Sequence, residues 1–354
     1  MFVFRNLALA ATMACSTRHA RTRRLTIIFR YFITFLLAAV GHASSANDDI
    51  ATAASVSTLA RVFIVGSEAN GTSHDRFVAV VESGLRAFAN VTVLSESRLQ
   101  VVLSTQKHES ATRGLVIVVG TRAAQALCAK QLDLPLLLTL IPSPTFNQTI
   151  AAGCSENKNR ASVLFLDQPL ARQILAMKLT FPNNSQFTVL LGPEARIQRP
   201  RIEQLALRHS WQATFINIDR VDEVFSALER RAEHNRPLLA VPDPLVFNSK
   251  TAAHILLAAY RYGMPVIGYS ESYVTAGALL AVYSTPEQLG QQAVDAARQF
   301  LSAENSALPE PTFPTKFSVA INRQVGRSLG LTLPDEDTLL FELRRDKDDD
   351  HDPP

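Results

Sequence analysis

Residues 237–269 read PLLAVPDPLVFNSKTAAHILLAAYRYGMPVIGY, and this stretch contains the repeating unit of the fold. An apolar run ends at a carboxylate between two prolines, Asp243, and a second apolar run closes the stretch. Between them, Asn248 or Ser249 can cap a helix whose apolar residues recur at helical spacing as far as Tyr262. A strand, a helix and a second strand in this order predict a parallel sheet covered by helices.

The same alternation of apolar runs and helical patterns extends in both directions along the chain. The runs of Val, Ile and Leu lack strict alternation, which indicates strands covered by helices on both faces. Strands are predicted at 61–66, 91–95, 114–120 and 135–141 in a first series, and at 161–167, 187–192, 213–218, 237–241 and 265–269 in a second. At 354 residues the chain exceeds one hydrophobic core, so we expect an α/β fold with two lobes.

A helix after the second series is marked by the residues TPEQ at 285–288. Thr285 and Gln288 match a capping box, and Pro286 occupies the first helical position, where its missing N–H has no partner to lose. The pattern predicts a helix from Pro286 to Leu301.

Polar side chains follow the ends of six predicted strands. In open α/β sheets, ligands bind in the crevice beyond the carboxyl ends of the strands, so two lobes would direct both sets into one cleft. Each residue alone could equally be a turn or a helix cap, and Thr121 is well placed to cap the helix that follows it. As a set, they predict a ligand-binding site: Ser67, Thr121, Ser143, Asp167, Asp243 and Glu271.

Asp243 has the most constrained position of the six. Its flanking prolines keep the chain extended, so we expect a fixed carboxylate at the rim of the cleft. Such a group would bind the ammonium group of a small ligand, and the backbone amides at a helix start such as Arg122 would bind its carboxylate. Together they would select an amino acid or a similar zwitterion. The alternative is that Asp243 only turns the chain towards a cap at Asn248.

Residues 18–46 have the order of an export signal. Arginines precede the apolar stretch Tyr31–Val40, and small residues follow it. We predict cleavage near Ala43 to Ala46, which leaves a mature N-terminus between Ser44 and Asn47, and a periplasmic location. An uncleaved N-terminal membrane anchor is the alternative, although this uncharged stretch of ten residues falls short of the roughly 20 that span a bilayer.

The net charge of the chain depends on the same leader. Residues 1–46 hold six arginines and no acidic residue, so their removal leaves 29 basic against 32 acidic residues, a net charge of −3. A slightly acidic body lacks the basic field that a phosphate backbone requires. Nucleic acid is therefore not an expected partner.

Two cysteines, Cys128 and Cys154, remain once the leader is removed. In an oxidising compartment they could form a disulfide, which would stabilise the fold by about 3 kcal/mol. Two buried free thiols are an equal alternative. The sequence has no Cys-x-x-Cys pair for redox chemistry or zinc binding.

The sequence lacks the motifs of common α/β enzymes. GYSES at 268–272 resembles a nucleophile elbow, but Ser272 stands where the second glycine belongs, and the only later histidine is His351 in the acidic tail. The sequence contains no glycine-rich phosphate loop, and its histidines lack the spacing of metal ligands. We therefore predict a binding protein without catalytic residues, a cofactor or a metal site.

Several segments of the second half resemble the substrate-binding proteins of ABC transporters, in the type I periplasmic-binding class whose known ligands include aromatic amino acids. The segments are VLFLDQPLARQI, LLAVPDPLVFN, YRYGMPVIGYSESYVTAGALLAVYSTPEQLGQQA and FSVAINRQVGRSLGLTLP. The resemblance is good over about 161–334 and loose over 61–160. It implies two Rossmann-like lobes with parallel sheets, joined by three crossover strands that form a hinge. The family's proline-aspartate strand end falls on Pro242 and Asp243, and its glycine before the returning strand falls on Gly277.

With this resemblance, the chain divides into a leader and two lobes. The leader is 1–46, the first lobe is 61–165 plus 278–305, and the second lobe is 166–277 plus 306–334. The remaining residues, 335–354, end in a run of like charges, and we expect them to be a disordered acidic tail.

The resemblance predicts an exported solute-binding protein that captures a small ligand in the interlobe cleft and delivers it to an ABC transporter permease. One alternative keeps the fold and changes the partner to a membrane sensor kinase, so that the protein is a periplasmic ligand sensor. A less favoured alternative is an α/β enzyme.

Overall fold

The computed structural model describes residues 60–66, 71–105, 114–130, 132–155, 161–231, 233, 235–248, 250–302 and 307–345. These residues all belong to one compact unit, Ser57–Pro354. The predicted leader, 1–46, and the predicted site residue Ser67 lie outside the described residues. None of the helices in the described ranges is long and apolar enough to cross a membrane.

The first lobe is built on a sheet of five parallel strands. Its strands are β1 (Ala60–Gly66), β2 (Ala89–Ser95), β3 (Gly114–Val119), β4 (Leu136–Ile141) and β5 (Ala161–Phe165). Its first helices are α1 (Thr72–Leu85), α2 (Glu96–Thr105), α3 (Thr121–Cys128), α4 (Ser143–Thr145) and α5 (Ala151–Ser155), with a π-helical turn at Phe146–Ile150 between the last two. The strand order is β2-β1-β3-β4-β5, so β5 completes this sheet, although the sequence pattern predicts it as the first strand of the second series.

The second lobe has a six-stranded sheet. Its strands are β6 (Gln186–Leu191), β7 (Gln212–Asn217), β8 (Leu238–Leu239), β9 (Val266–Gly268), β10 (Leu280–Tyr283) and β11 (Ser318–Ile321). The later helices are α6 (Leu170–Thr180), α7 (Arg199–Arg208), α8 (Glu223–Arg231), α9 (Ala252–Arg261), α10 (Glu271–Thr275), α11 (Pro286–Ser302), α12 (Arg323–Ser328) and α13 (Glu336–Arg345). The strand order is β11-β10-β9-β8-β6-β7, and all neighbouring pairs are parallel except β10 with β11.

Both faces of the central strands are buried, as the continuous apolar runs predicted, whereas the edge strands β2 and β7 are largely exposed or half-buried. In β1, Val62 and Ile64 join one core cluster of the first lobe, and Phe63 and Val65 join the cluster on the opposite face. The second sheet is likewise packed between two clusters. Helices on both faces of two mostly parallel sheets confirm the predicted two-lobe α/β fold.

Three segments connect the lobes. The first follows β5, and the second runs from β10 into α11, which packs against α1 of the first lobe. The third begins where Thr312 pairs with Leu164 beside β5, and it enters the second sheet as β11. The Gln168 side chain donates a hydrogen bond to Ser284 Oγ (2.8 Å), and that hydroxyl donates to the Lys316 carbonyl (2.6 Å). One hydrogen-bonded chain thus joins all three segments at the hinge.

The structure corrects two predicted boundaries. Residues 280–283 form β10, which pairs with β9 and β11, so the chain returns to the first lobe only at Pro286 and not at 278. The predicted disordered tail begins too early, because Glu336–Arg345 form a helix. Leu339 and Leu343 of this helix are buried against the core of the second lobe. Their spacing of four residues is an amphipathic signal that the acidic composition obscured. Residues 346–354 lie outside the described part of the chain.

Local signals at chain turns are mostly confirmed. Thr285 N–H donates to Gln288 Oε1 (2.9 Å) and Gln288 N–H donates to Thr285 Oγ1 (3.2 Å), which is the predicted capping box. The predicted helix at Asn248 begins later, at Ala252, because the Asn248 side chain accepts hydrogen bonds in a preceding turn. Gly277 has φ 119°, a conformation that side-chain-bearing residues rarely adopt.

Candidate functional site

A cavity of about 780 Å³ lies between the two lobes, at the carboxyl ends of the parallel strands. The first lobe contributes Ser73, Arg76, Thr121, Gln125, Leu140, Pro142, Thr145 and Leu289. The second lobe contributes Glu194, Pro242, Asp243, Pro244, Phe247, Tyr269, Ser270, Glu271 and Ser272. The connecting segments contribute Leu166, Asp167, Tyr283, Ser284, Thr285 and Pro286. Its size and position are typical of a small-molecule site.

Most of the residues predicted from strand ends meet at this cavity. Those that line it are Thr121, Asp167, Asp243 and Glu271. Ser143 is buried and binds the Asp167 carboxylate. Ser67 lies outside the described residues. A role of each residue in ligand binding stays a prediction.

The sequence predicts an exposed Asp243 carboxylate at the rim of the cleft, but in the structure this side chain is buried. The residue is 3% exposed. Its Oδ1 accepts hydrogen bonds from the backbone N–H groups of Leu245 (2.9 Å) and Val246 (3.2 Å). Its Oδ2 accepts from the N–H groups of Glu194 (3.1 Å) and Ala195 (2.9 Å). A carboxylate has about four acceptor sites, and these four donors occupy them. The expected exposed position at the rim is therefore wrong, and the carboxylate joins two loops at the cavity wall.

The loop after β6 approaches this carboxylate so closely that it excludes a side chain at Gly192. A Cβ atom there would lie 2.0 Å from Asp243 Oδ1. The Asp243 carboxylate therefore connects two turns: VPDP, in which it lies between two prolines, and LGPE, which contains Gly192. The proline-aspartate strand end is explained by this junction between loops.

Asp167 is a second buried carboxylate, at the start of the first connecting segment, and it is 5% exposed. Its Oδ1 accepts from the Ser143 N–H (2.7 Å), and its Oδ2 accepts from Ser143 Oγ (2.6 Å). Burial raises the pKa of Asp167 to about 6, against the opposing effect of the hydrogen bonds from Ser143. At neutral pH, Asp167 therefore carries a poorly compensated negative charge at the cavity wall.

The cavity lining as a whole is acidic. Its carboxylates are those of Asp167, Glu194, Asp243 and Glu271. The cavity wall also carries the Arg76 guanidinium, which forms an ion pair of 2.6 Å with Glu287. A ligand with a positive group therefore finds a favourable electrostatic environment.

The N-terminal end of α3 adds partial positive charge to this otherwise acidic cavity wall. Thr121, its first residue, and Gln125, one turn later, both line the cavity. The first-turn N–H groups of a helix lack intrahelical partners and carry partial positive charge. This end of the cavity is suited to a carboxylate.

An apolar part of the wall comes from Leu140 and Leu166. Leu140 has φ 55° and stands at an irregularity of β4, between Thr139 and Ile141, where it has no partner in the register of either neighbouring strand. A positive φ is rare for a bulky residue, and strained residues of this kind concentrate at functional sites. Leu166 is a large apolar side chain that remains 40% exposed.

Aromatic side chains complete the second-lobe wall. Tyr269 Oη donates to the Phe247 carbonyl (3.2 Å) and lies 3.0 Å from Tyr273 Oη. Burial raises the pKa of Tyr269, so its hydroxyl stays protonated at physiological pH. The rings of Tyr269 and Tyr273 pack with centroids 4.7 Å apart.

The structure contains a disulfide between Cys128, at the end of α3, and Cys154, in α5, with a Cα–Cα distance of 4.6 Å. The bond ties the helical segment 143–155 to α3. Ser143 and Thr145 lie at the start of this segment, so the disulfide holds part of the cavity wall.

Sequence analysis missed some residues of the lining, and the reasons differ. Glu194 stands two residues beyond Gly192, where the run FTVLLG ends, so the rule that selected the other strand-end residues could have found it. Leu140 has no such signal, because its backbone conformation depends on the pairing of β4. Among the described residues, no group of three or more His, Cys, Asp and Glu side chains could hold a metal ion.

Comparison with known structures gives the same architecture at low sequence identity. A Streptococcus pneumonia ABC domain in complex with L-Trp is 17% identical with a TM-score of 0.56, covering 80% of this chain and 98% of the other. A conserved domain protein of Vibrio cholerae is 19% identical with a TM-score of 0.56, covering 80% and 97%. The ligand-free, open structure of CD0873, a substrate-binding protein with adhesive properties from Clostridium difficile, is 15% identical with a TM-score of 0.62, covering 78% and 96%.

The sequence itself identifies the family. No curated protein matches the chain significantly. The profile of the family described as ABC transporter substrate binding protein matches residues 89–341, which include most of both lobes. The chain therefore belongs to the substrate-binding proteins of ABC transporters.

Proposed function

We propose that the protein captures an amino acid, or a similar zwitterion, in the interlobe cavity and delivers it to the permease of an ABC importer. The observation that carries the proposal is the buried Asp167 carboxylate with its raised pKa on an acidic cavity wall. A ligand ammonium group would supply the positive charge that this carboxylate lacks. The interaction is strong because burial removes competing water.

The rest of the cavity suits the other parts of such a ligand. The ligand carboxylate would lie at the start of α3, beside Thr121, where helix amides favour an anion. An apolar side chain would pack against Leu140, Leu166 and Phe247. The L-Trp complex of a protein with the same fold supports an amino acid as the ligand class.

The family and the predicted leader support export and a membrane partner. Family membership supports a location outside the cytoplasm and a permease partner, and it favours transport over sensing through a receptor kinase. Mass spectrometry of the exported protein should find its N-terminus between Ser44 and Asn47. Recovery of the intact chain in membranes alone would contradict cleavage.

A thermal-shift screen tests the ligand class. The purified protein is screened against the twenty amino acids and against ribose and arabinose, because a ligand at 100 times its Kd adds about 2.7 kcal/mol to stability. We expect an amino acid to raise the unfolding temperature of the parent, and to do so much less for Asp167→Asn.

The exposed Asp295→Asn variant is the matched control, and it should respond like the parent. Stabilisation by a sugar and by none of the amino acids would overturn the proposed ligand class. An equal response of Asp167→Asn and the parent would remove Asp167 from the site.

A further inference from the structure

Direct hydrogen bonds cross the cleft between the lobes. Thr145, in α4 of the first lobe, donates through Oγ1 to Glu194 Oε2 of the second lobe at 2.7 Å. Close by, Gln198 Nε2 makes a longer contact of 3.4 Å with Ser143 Oγ. Thr145 is 7% exposed and Glu194 is half-buried, so the bond is partly shielded from water. A hydrogen bond to a charged group is stronger than one between neutral groups, particularly when water is excluded.

Each side of this contact is held by a buried carboxylate of its own. On the first lobe, Ser143 bonds Asp167 through both its N–H and its hydroxyl, which fixes the start of the segment that carries Thr145. On the second lobe, Asp243 accepts the backbone N–H of Glu194 itself (3.1 Å). The backbone of both partners is therefore positioned before they meet, and the side-chain freedom of Glu194 is the main freedom that is lost on contact.

We propose that Thr145 and Glu194 form an interlobe clasp, a pair of positioning residues that stabilise the closed arrangement of the lobes in the absence of ligand. The contact joins the lobes directly and requires no bridging solute. It therefore shifts the equilibrium between open and closed molecules towards the closed form. The inference concerns the ligand-free protein and does not depend on which solute the cavity accepts.

The clasp has a consequence for affinity. When binding requires the closed form, the apparent Kd equals the intrinsic Kd divided by the closed fraction. Thr145→Val removes the clasp and leaves the charges of the cavity wall unchanged, so it should weaken every ligand by the same factor. A residue that touched one part of the ligand would instead change selectivity.

Small-angle scattering of the ligand-free protein tests the clasp. Thr145→Val keeps the shape of the side chain and removes the hydroxyl, and Glu194→Ala removes the acceptor. In each variant we expect the ratio of closed to open molecules to fall about 10-fold, seen as a larger radius of gyration. The double variant should be no more open than either single variant, because the same contact is lost.

Two controls separate the clasp from a general loss of structure. Thr145→Ser retains the hydroxyl and should scatter like the parent. Glu203→Gln removes one negative charge from an exposed position of α7 in the second lobe, and it should also scatter like the parent. Thermal unfolding of each variant by circular dichroism checks that the fold is retained.

Identical scattering of the parent, Thr145→Val and Glu194→Ala would overturn the proposal, as would additive effects in the double variant. An open ligand-free parent would overturn it as well. Each of these results would leave the proposed ligand class standing, because the experiment uses no ligand.

Discussion

Asp167 and Asp243 are the same side chain in similar positions, and they are bound in different ways. Each follows the end of a parallel strand, each lines the cavity, and they are 5% and 3% exposed. Four backbone N–H groups from two loops bind Asp243. Asp167 is bound by the N–H and hydroxyl of one residue, Ser143, and burial raises its pKa to about 6.

The comparison shows that burial alone does not decide what a carboxylate does. With all its acceptor sites occupied by amides, Asp243 is a junction between loops, and replacing it should affect the fold. Asp167 has fewer donors for an equally buried charge, and it should respond to whatever positive group enters the cavity. The following predictions test this contrast, from the largest expected effect to the smallest.

Asp243→Asn should destabilise the fold most. One oxygen becomes an NH₂ group that faces two backbone N–H donors, so both donors lose their partner. We expect the free energy of unfolding to fall by about 4 kcal/mol, because each unpaired buried group costs about 1–3 kcal/mol. Urea unfolding measures the change. Gly192→Ala, whose Cβ would displace the same carboxylate, should act in the same direction. Parent-like stability together with lost affinity would show that Asp243 is a ligand group instead.

Removal of the disulfide should affect the surroundings of Asp167, because the bond constrains the segment that carries its hydrogen-bond donor, Ser143. The Cys128→Ser/Cys154→Ser variant releases the segment that carries Ser143, and we expect a loss of about 3 kcal/mol in unfolding free energy. Thiol counting on the denatured, unreduced protein without its leader, which contains Cys15, should first find no free thiol. Two free thiols would show that the bond is not formed, and stability equal to the parent would show that it does not constrain the segment.

The pH dependence of stability should separate Asp167 from the other carboxylates. The pKa of Asp167 is about 6 in the folded protein, whereas its ordinary value, which applies to the unfolded chain, is 3.8, so the folded form binds its proton more tightly. Its contribution is fully present below pH 3.8 and is lost as the pH rises through 6. The loss should reach about 2 to 3 kcal/mol.

Urea unfolding of the parent and of Asp167→Asn between pH 4 and pH 8 isolates this contribution. The difference between the two proteins should change across this range and level off above pH 7. If the unfolding free energies of the two proteins change in parallel with pH, the raised pKa of Asp167 is contradicted. A bound ammonium ligand should restore stability at neutral pH, and its affinity should rise with pH through 6.

Pro244→Ala should have the smallest effect. The substitution leaves the amide contacts of Asp243 in place and mainly adds freedom to the unfolded chain, so we expect a loss of about 0.4–1 kcal/mol. Chemical unfolding midpoints with unchanged slopes would measure it. A loss as large as that of Asp243→Asn would show that the proline, and not the carboxylate, holds the turn.

Much of the fold could be predicted from sequence because its signals are local. Continuous apolar runs marked the strands, and the capping box at Thr285 and Gln288 marked the start of α11. The sequence also predicted the short strands β8 and β9 and the polar residues that follow them, Asp243 and Glu271. The errors lie where local signals compete: the acidic composition after 335 concealed the spacing of Leu339 and Leu343, and the assignment of β10 to a lobe depends on its neighbours in the sheet.

The candidate site was predicted in part. The rule that polar residues at strand ends meet in one crevice found Thr121, Asp167, Asp243 and Glu271. The rule could not predict that Asp167 and Asp243 accept hydrogen bonds from different sets of donors. It also could not find Leu140, whose positive φ arises from the pairing of β4 with β5, or the contact of Thr145 with Glu194.

The sequence by itself determined the two-lobe α/β fold, the family, and the presence of carboxylates at the ends of buried strands. Only the tertiary structure decided what those carboxylates do. The donors that occupy Asp243 include Glu194 and Ala195, nearly fifty residues away in the chain, and the donor to Asp167 is 24 residues away. The state of a buried charge depends on the dipoles and donors that surround it in space, and sequence distance does not specify them.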